Sequence, residues 1–312
     1  MTTVIEKRRL ATEIFVSVGV VVGALLLVGG SATVRDAVAG GLHLCAVAIL
    51  PSVFPFMILS SLFLSYSPWE RSRILGICFE KMTAVNRVGL PAFLGGMFCG
   101  FPIGARMTAQ LYQNGALTRE EAERLMGFSN NAGPGFLLCA VGIGMRGEIK
   151  DGILLLTVTW ISALLVARLF AIGHQPSSGS AFCAKPPFSL TRTLENATHS
   201  TLNVCGFLLF FSIISGLLVR WISSPWVLSL LLPWMEVSTA ASYLSGIPLP
   251  GDISLILTAF ACAFAGGSVH MQTASVISGS ELGMQTYLKM KCVQGLLAML
   301  LTPVISLFLR MR

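Results

Sequence analysis

Long apolar runs separated by short polar segments dominate the chain. Residues 16–30 and 152–167 contain no charged side chain, and residues 253–280 contain only His270 as a group that could carry charge. A helix needs about 20 apolar residues to cross a hydrocarbon layer of about 30 Å. The runs approach or exceed that length, so the pattern predicts an all-α, polytopic membrane protein.

Nine apolar segments follow from the same pattern, and three of them carry helix-breaking or polar residues in their interior. Pro51 and Pro55 are expected to break the second segment, residues 100–104 the third, and the polar residues 236–239 the seventh. The predicted segments are residues 12–30, 38–64, 88–112, 125–145, 152–173, 202–219, 225–249, 253–277 and 292–309.

A turn-rich stretch without apolar periodicity, residues 174–198, divides the chain into two halves with the same order of parts. We predict an N-terminal membrane helix (residues 1–35), a first repeat (36–173), a cytoplasmic linker (174–198) and a second repeat (199–312). Leu-Pro pairs at 90–91 and 232–233, and Phe- and Gly-containing stretches at 128–133 and 264–268, correspond between the halves. Such internal similarity is typical of transporters with inverted repeats.

Charge supports a membrane setting and gives an orientation. Charged residues make up only 11% of the 312 residues, against roughly 25% in soluble domains. The net charge of +7 comes from basic residues at segment ends, as the positive-inside rule expects, rather than from a basic stripe that could bind nucleic acid. With Lys7–Arg9 inside, the hairpins at 88–112 and 225–249 enter from opposite faces, although Arg310 and Arg312 then lie outside.

Polar residues inside the apolar segments of the first half are the first candidates for a binding site. Residues 100–106 combine helix-breaking Gly and Pro with Arg106, and a helix beginning near Gly104 would direct its positive end toward an anion. Ser129, Asn130 and Asn131 precede Gly-Pro-Gly, which predicts an unwound helix. The alternatives are that Arg106 reaches an interface and that residues 129–135 form an ordinary loop.

The second half offers a matching polar set. Glu236, Ser238 and Thr239 interrupt an apolar segment, as a proton or cation site or as a partner of Arg106. Ser268, His270 and Gln272 follow Gly266-Gly267, although a histidine in a membrane helix is often only hydrogen-bonded between helices.

Other motifs narrow the function. Thr118 and Glu121 predict a capping box that opens a solvated surface helix. Eight scattered cysteines without a C-x-x-C pair, and the lack of any catalytic signature, predict no metal, no cofactor and no enzyme. A membrane enzyme that joins His270 and Glu236 is the remaining catalytic alternative.

The stretches at 100–106, 117–122 and 128–134 resemble the YlbJ (SpoVV) family of sporulation integral membrane proteins, which carry the gate or nucleoside-recognition domain. The family pattern reads G-[YF]-P-x-G-A-[KR], a T-x-x-E-A-like helix, then F-x-N-N-x-x-P. Gly133 departs from the usual Ser before the proline. The resemblance implies a fold like that of concentrative nucleoside transporters, and sporulating members that move dipicolinate across the forespore membrane.

Our leading interpretation is a secondary transporter of a small organic anion in the cell membrane, with a proton or cation as coupling partner. Arg106 and hairpin amides would hold the carboxylate, Asn130, Asn131 and Ser268 would orient the substrate, and Glu236 would couple the ion. A non-transporting sporulation scaffold and a nucleoside carrier are the alternatives. The oligomeric state is left open, and a homo-oligomer is compatible with the sequence.

Overall fold

The computed structural model describes residues 2–66, 72–177 and 189–310, and in these ranges it is helical without strands. Arg71 and Lys185, two of the basic residues behind the predicted orientation, and Arg312, which goes against it, lie outside the described residues. The helices of the first half are α1 (Thr2–Gly29), α2 (Ser31–Leu44), α3 (Leu50–Tyr66), α4 (Arg73–Thr83), α5 (Leu90–Cys99), α6 (Ile103–Gln113), α7 (Arg119–Ser129) and α8 (Ile149–Leu169). A π-helix, Gly135–Met145, lies between α7 and α8.

The second half contains α9 (Leu190–Trp221), α10 (Pro225–Met235), α11 (Val237–Gly246), α12 (Ile253–Phe264), α13 (Gly266–Ile277) and α14 (Gln285–Arg310). Five stretches in the described part are long and apolar enough to cross a membrane: Ser31–Leu59, Ile149–Leu169, Leu190–Trp221, Ile253–Ile277 and Gln285–Phe308. The chain is therefore a polytopic helical membrane protein.

The prolines of the second apolar segment do not break it, contrary to expectation. Pro55 lies inside α3, and α2 continues into α3 through one π-helical segment, Cys45–Ile49. Such a segment inserts an extra residue into the helix without ending it. The helix therefore tolerates both prolines, because the irregular turn before Pro51 absorbs the change in backbone geometry.

Both interrupted segments form helical hairpins. The helices α5 and α6 pack against each other on either side of residues 100–102, which we call tip 1. The helices α10 and α11 do the same on either side of Glu236, which we call tip 2. The two Leu-Pro pairs are not equivalent, because Pro91 lies at the start of α5 whereas Pro233 lies near the end of α10.

Two further helices are broken at their middle. Residues 130–133 separate α7 from the π-helix, and Ala265 separates α12 from α13. We call these the first break and the second break. The unwound helix predicted at Ser129, Asn130 and Asn131 is present, since residues 130–133 are not helical. The stretch at 264–268, which was expected to lie within a helix, also falls at a break. Glycines and Pro134 explain why the helices stop there, since neither residue supports a regular helix interior.

The centre of the molecule is formed by α8, α12 and α14, which pack against one another. Of the candidate spans, Ile253–Ile277 is the most enclosed, with 72% of its apolar window buried, against 24% for Ser31–Leu59. The peripheral pair α2 and α9 contact through small residues such as Gly41 and Gly216, where a Cβ would lie within 3 Å of the facing side chain. The broken helices therefore lie inside the bundle rather than at its edge.

The capping box at the start of α7 is present, but α7 is not a solvated surface helix. Thr118 accepts the Glu121 amide hydrogen, and the Glu121 carboxylate accepts the Thr118 amide in return. Glu121 is 2% exposed and also accepts the backbone amides of Asn86 and Ser177, at 2.9 Å each. Buried Arg124 donates to the Ala84 carbonyl at 2.7 Å. These bonds join α7 to the loop after α4 and to the segment that follows α8.

Substitution of Gly96 should test how tightly hairpin α5–α6 packs against α7. A Cβ at Gly96 would lie 1.8 Å from the Ser129 carbonyl oxygen, a contact that only backbone movement can relieve. We expect Gly96→Ala to destabilise the protein by about 1–3 kcal/mol or more, measured as thermal unfolding in detergent. Gly206→Ala is the matched control, because nothing lies within 4 Å of that Cβ in α9. Equal stability of the two variants would contradict the packing.

The hydrogen bonds that the Glu121 carboxylate accepts should make the stability of the protein depend on pH. Burial acts to raise the Glu121 pKa, but the hydrogen bonds from Ser177, Thr118 and Asn86 outweigh it and lower the pKa below its ordinary value of 4.5. The stabilisation is thus present above pH 4.5 and lost as the pH falls through the lower folded-state value. Glu121→Gln should lower the free energy of unfolding by about 1–3 kcal/mol at neutral pH. It should also weaken the fall of Tm with pH on the acid side. The control Glu148→Gln, at an exposed position, should change neither the stability at neutral pH nor the dependence of Tm on pH.

Candidate functional site

Tip 1 and the first break pack backbone against backbone. Gly100 has a positive φ of 81°, and a Cβ there would lie 2.8 Å from the Gly133 nitrogen. One turn further along, the space beside Gly104 is filled by the Ser129 carbonyl, 2.7 Å from where a Cβ would be. Gly104 is therefore a packing position, buried within α6, and its neighbour is the last residue of α7.

Tip 2 and the second break pack in the same manner. Ala265 adopts the left-handed region at φ 81°, and a Cβ on Gly266 would lie 3.0 Å from the Met235 carbonyl oxygen. Glu236 follows Met235 and is the N-cap of α11. Its carboxylate accepts the amide hydrogens of Ser238 at 2.9 Å and Thr239 at 2.5 Å. An anion at a helix N-terminus is stabilised by these amides and by the helix dipole.

Both tips and both broken helices face one cavity of about 50 Å³, room for a few water molecules. Its wall is apolar where phenylalanines from α3, α5, tip 1 and the π-helix line it, and polar where Glu236, Ser238 and Gln272 meet. Gln272 is 4% exposed and its Oε1 has no hydrogen-bond partner. The lining residues are Val53, Phe56, Phe98, Cys99, Gly100, Phe101, Gly133, Gly135, Phe136, Val204, Glu236, Val237, Ser238, Val269 and Gln272.

Among the described residues that line the cavity, Glu236 is the one with a charged side chain. Arg106 is half-buried on α6 and is not part of the wall. Thr239 lies one residue beyond Ser238, and its hydroxyl is 3.4 Å from that of Ser212 on α9. Ser268 is buried behind the wall and accepts the Gln272 amide at 3.4 Å. Of the eleven predicted site residues, the structure therefore brings Glu236, Ser238 and Gln272 together at the cavity.

Asn130 points away from the cavity, into a polar network between the first break, α13 and α14. Its amide donates to the Thr273 hydroxyl at 2.8 Å and to the Tyr287 hydroxyl at 3.3 Å. His270 Nδ1 lies 3.2 Å from the same Tyr287 oxygen, and its ring packs edge-on against Phe264 at 4.7 Å. His270 therefore belongs to this network. The Glu236 side chain, its partner in the catalytic alternative, bonds to amides of its own helix.

Asn131 is the centre of a second network, which also faces α14. Its amide nitrogen donates to the Phe128 carbonyl at 2.7 Å, a group left free because α7 ends there. Its Oδ1 accepts hydrogen bonds from Lys291 Nζ at 3.0 Å and from Gln294 Nε2 at 2.8 Å. Ser129, two residues earlier, is also buried, and its hydroxyl has no partner. The paired amides thus secure the break to α14.

Sequence analysis missed Tyr287, Lys291 and Gln294, although all three are buried and polar. It placed the last apolar segment at residues 292–309, whereas α14 begins at Gln285. The available signal was spacing, because Tyr287, Lys291 and Gln294 recur at intervals of four and three residues and so share one helix face.

No group of three His, Cys, Asp or Glu side chains within the described ranges could hold a metal ion. The seven cysteines in these ranges are free thiols. Cys183 lies outside the described residues.

The structure thus defines a polytopic helical membrane protein in which two hairpin tips and two broken helices enclose a polar-ended cavity. The chain is 26% identical over 304 residues to the sporulation integral membrane protein YlbJ of Bacillus subtilis (strain 168), across 83% of this chain and 74% of that protein. The predicted resemblance to the YlbJ family is thereby confirmed. No protein-family model matches the chain, and no solved structure matches it, so the gate-domain assignment stays a prediction.

Removal of the Tyr287 hydroxyl should test the network around Asn130. Tyr287→Phe leaves His270 Nδ1 without its partner and removes one acceptor of the Asn130 amide, so we expect a loss of about 1–3 kcal/mol in the free energy of unfolding. The matched control is Tyr243→Phe on α11, a half-buried tyrosine. A destabilisation no larger than that of the control would show that the network contributes little.

Proposed function

We propose that this protein is a secondary transporter of a small organic anion, with its substrate site in the cavity between the two tips. The observation that carries the proposal is that tip 1, tip 2 and both broken helices, which come from different halves of the chain, line the same cavity. Broken helices that meet at a shared polar pocket are typical of secondary transporters.

The order of elements supports an inverted-repeat plan like that of concentrative nucleoside transporters. Each half contains a hairpin (α5–α6, α10–α11), then a helix broken at its middle (α7 and the π-helix, α12–α13), then a continuous helix (α8, α14). In both halves the hairpin tip packs on the break that follows it. We infer that the two halves move relative to each other around the cavity, which would have to widen to admit a substrate.

Glu236 supplies the coupling step of the proposed mechanism. An ionised Glu236 occupies the amides of Ser238 and Thr239, which are the anion-binding groups at this end of the cavity. A substrate carboxylate and an ionised Glu236 would repel each other in a site with low dielectric. An anion is therefore expected to enter together with a proton on Glu236, whose amide partners then become free for the substrate.

The proposed substrate class follows from the residues that line the cavity and from the similarity to a sporulation membrane protein. A planar organic anion could pack between the phenylalanines and direct a carboxylate toward tip 2. Dipicolinate has this chemistry, and we propose it as the first compound to test. For a spore-forming source, the proposal places the protein in the forespore membrane.

A membrane scaffold is the second candidate function, and one observation favours it. Asn130, Asn131 and His270 are bonded to other side chains, as a purely structural role requires. Gln272 favours transport instead, because it lines the cavity and its Oε1 has no hydrogen-bond partner.

Flux into proteoliposomes would decide between these functions. We expect labelled dipicolinate to accumulate when the outside is made acidic, and Glu236→Gln to abolish this accumulation while exchange between labelled and unlabelled substrate continues. The matched control is Glu148→Gln, which alters an exposed carboxyl in the loop before α8. Competition by uridine would indicate a nucleoside carrier, and unchanged uptake by Arg106→Ala would exclude Arg106 from the site. Absence of flux for both compounds would refute transport.

A further inference from the structure

Lys291 is a fully buried lysine that has no acidic partner among the residues that the structure describes. The side chain lies on α14 at 0% exposure, and within the described part of the chain no carboxylate lies within ion-pair distance of it. Its ammonium donates to two neutral amide oxygens, Asn131 Oδ1 at 3.0 Å and Gln294 Oε1 at 2.8 Å. Because burial of an unpaired ammonium costs several kcal/mol in general, this position requires a compensating interaction.

The end of α7 provides that compensation. This helix stops at Ser129, and its last carbonyls carry the negative end of the helix dipole. Asn131 takes up the Phe128 carbonyl with its amide nitrogen and leaves Oδ1 free to face α14. Gln294 orients a second oxygen, since its nitrogen is held by Asn131 Oδ1 and by the Thr159 carbonyl at 3.3 Å. Lys291 therefore lies in a set of oxygen ligands at a negative helix end.

Oxygen ligands at the C-terminal end of a broken helix are a usual site for a monovalent metal ion in transporters. Here the protein supplies the positive charge from its own chain. We infer that Lys291 is a tethered cation that takes the place of an exchangeable monovalent ion at the first break. Lys291 holds the first break to α14 and leaves no room for sodium there. If the protein is the proposed transporter, Glu236 is then the residue that couples transport to an ion. The assignment of Lys291 as a tethered cation does not depend on the proposed function.

Shortening Lys291 would empty the site without removing its oxygen ligands. In Lys291→Ala, small cations should bind at Asn131 and Gln294, so the Tm of the purified protein should rise by about 2–4 °C as sodium chloride or methylammonium chloride replaces N-methylglucamine chloride at constant ionic strength. The wild-type Tm should not respond. Lys289→Ala, four residues from the Gln285 end of the same helix and exposed, is the matched control and should also not respond.

One further variant keeps the test decisive if Lys291→Ala fails to fold. Lys291→Met fills the volume without charge and leaves Asn131 Oδ1 and Gln294 Oε1 without the Nζ donor. Its Tm should therefore be lower than that of wild type and insensitive to sodium. A sodium-insensitive Tm in a folded Lys291→Ala, or a Tm of Lys291→Met no lower than that of wild type, would overturn the assignment. These measurements need no transport, so they stand apart from the flux assay.

Discussion

Backbone groups released at a helix break must find partners inside the protein, because a bilayer offers none. The first break meets this constraint through Asn131, whose amide takes the Phe128 carbonyl and whose oxygen is held by Lys291 and Gln294. At the second break the Ala265 amide donates to the Ala261 carbonyl at 2.9 Å, and Gly266 packs closely against the Met235 carbonyl. Because each break is secured in this way, each hairpin tip has a rigid surface on which to pack, and the position of the cavity follows.

The two tips differ in chemistry although they pack alike. Tip 2 carries a carboxylate that caps its own helix, α11, whereas the first residues of α6 beyond tip 1 have no side-chain cap. The cavity therefore has its charge at one end and aromatic rings around the rest of its wall. This asymmetry is the basis for assigning the proton to tip 2 in the proposed cycle.

Polar residues at depth separate into two groups with different physical roles. Asn130, Asn131 and Lys291 are bonded to other buried groups, which stabilises the breaks but leaves them little freedom to bind a solute. Gln272 lines the cavity, and its Oε1 has no hydrogen-bond partner. Asn130 Oδ1 also has no partner, but Asn130 is not among the lining residues. Whether a polar residue lies within an apolar segment therefore does not decide its role. Its position at or away from the cavity separates a candidate binding residue from a residue that supports the fold.

Local chemistry was sufficient to predict the helical, multi-span character of the chain, both hairpins and the capping box at Thr118, because hydrophobic runs, glycines, prolines and caps act within a few residues. It could not predict that Asn131 faces α14 rather than the cavity, since the partner Lys291 lies 160 residues away. The burial of Glu121 likewise depends on Ser177, 56 residues further along. Side-chain direction at a break is decided by which helix packs behind it, and that is a property of the tertiary structure alone.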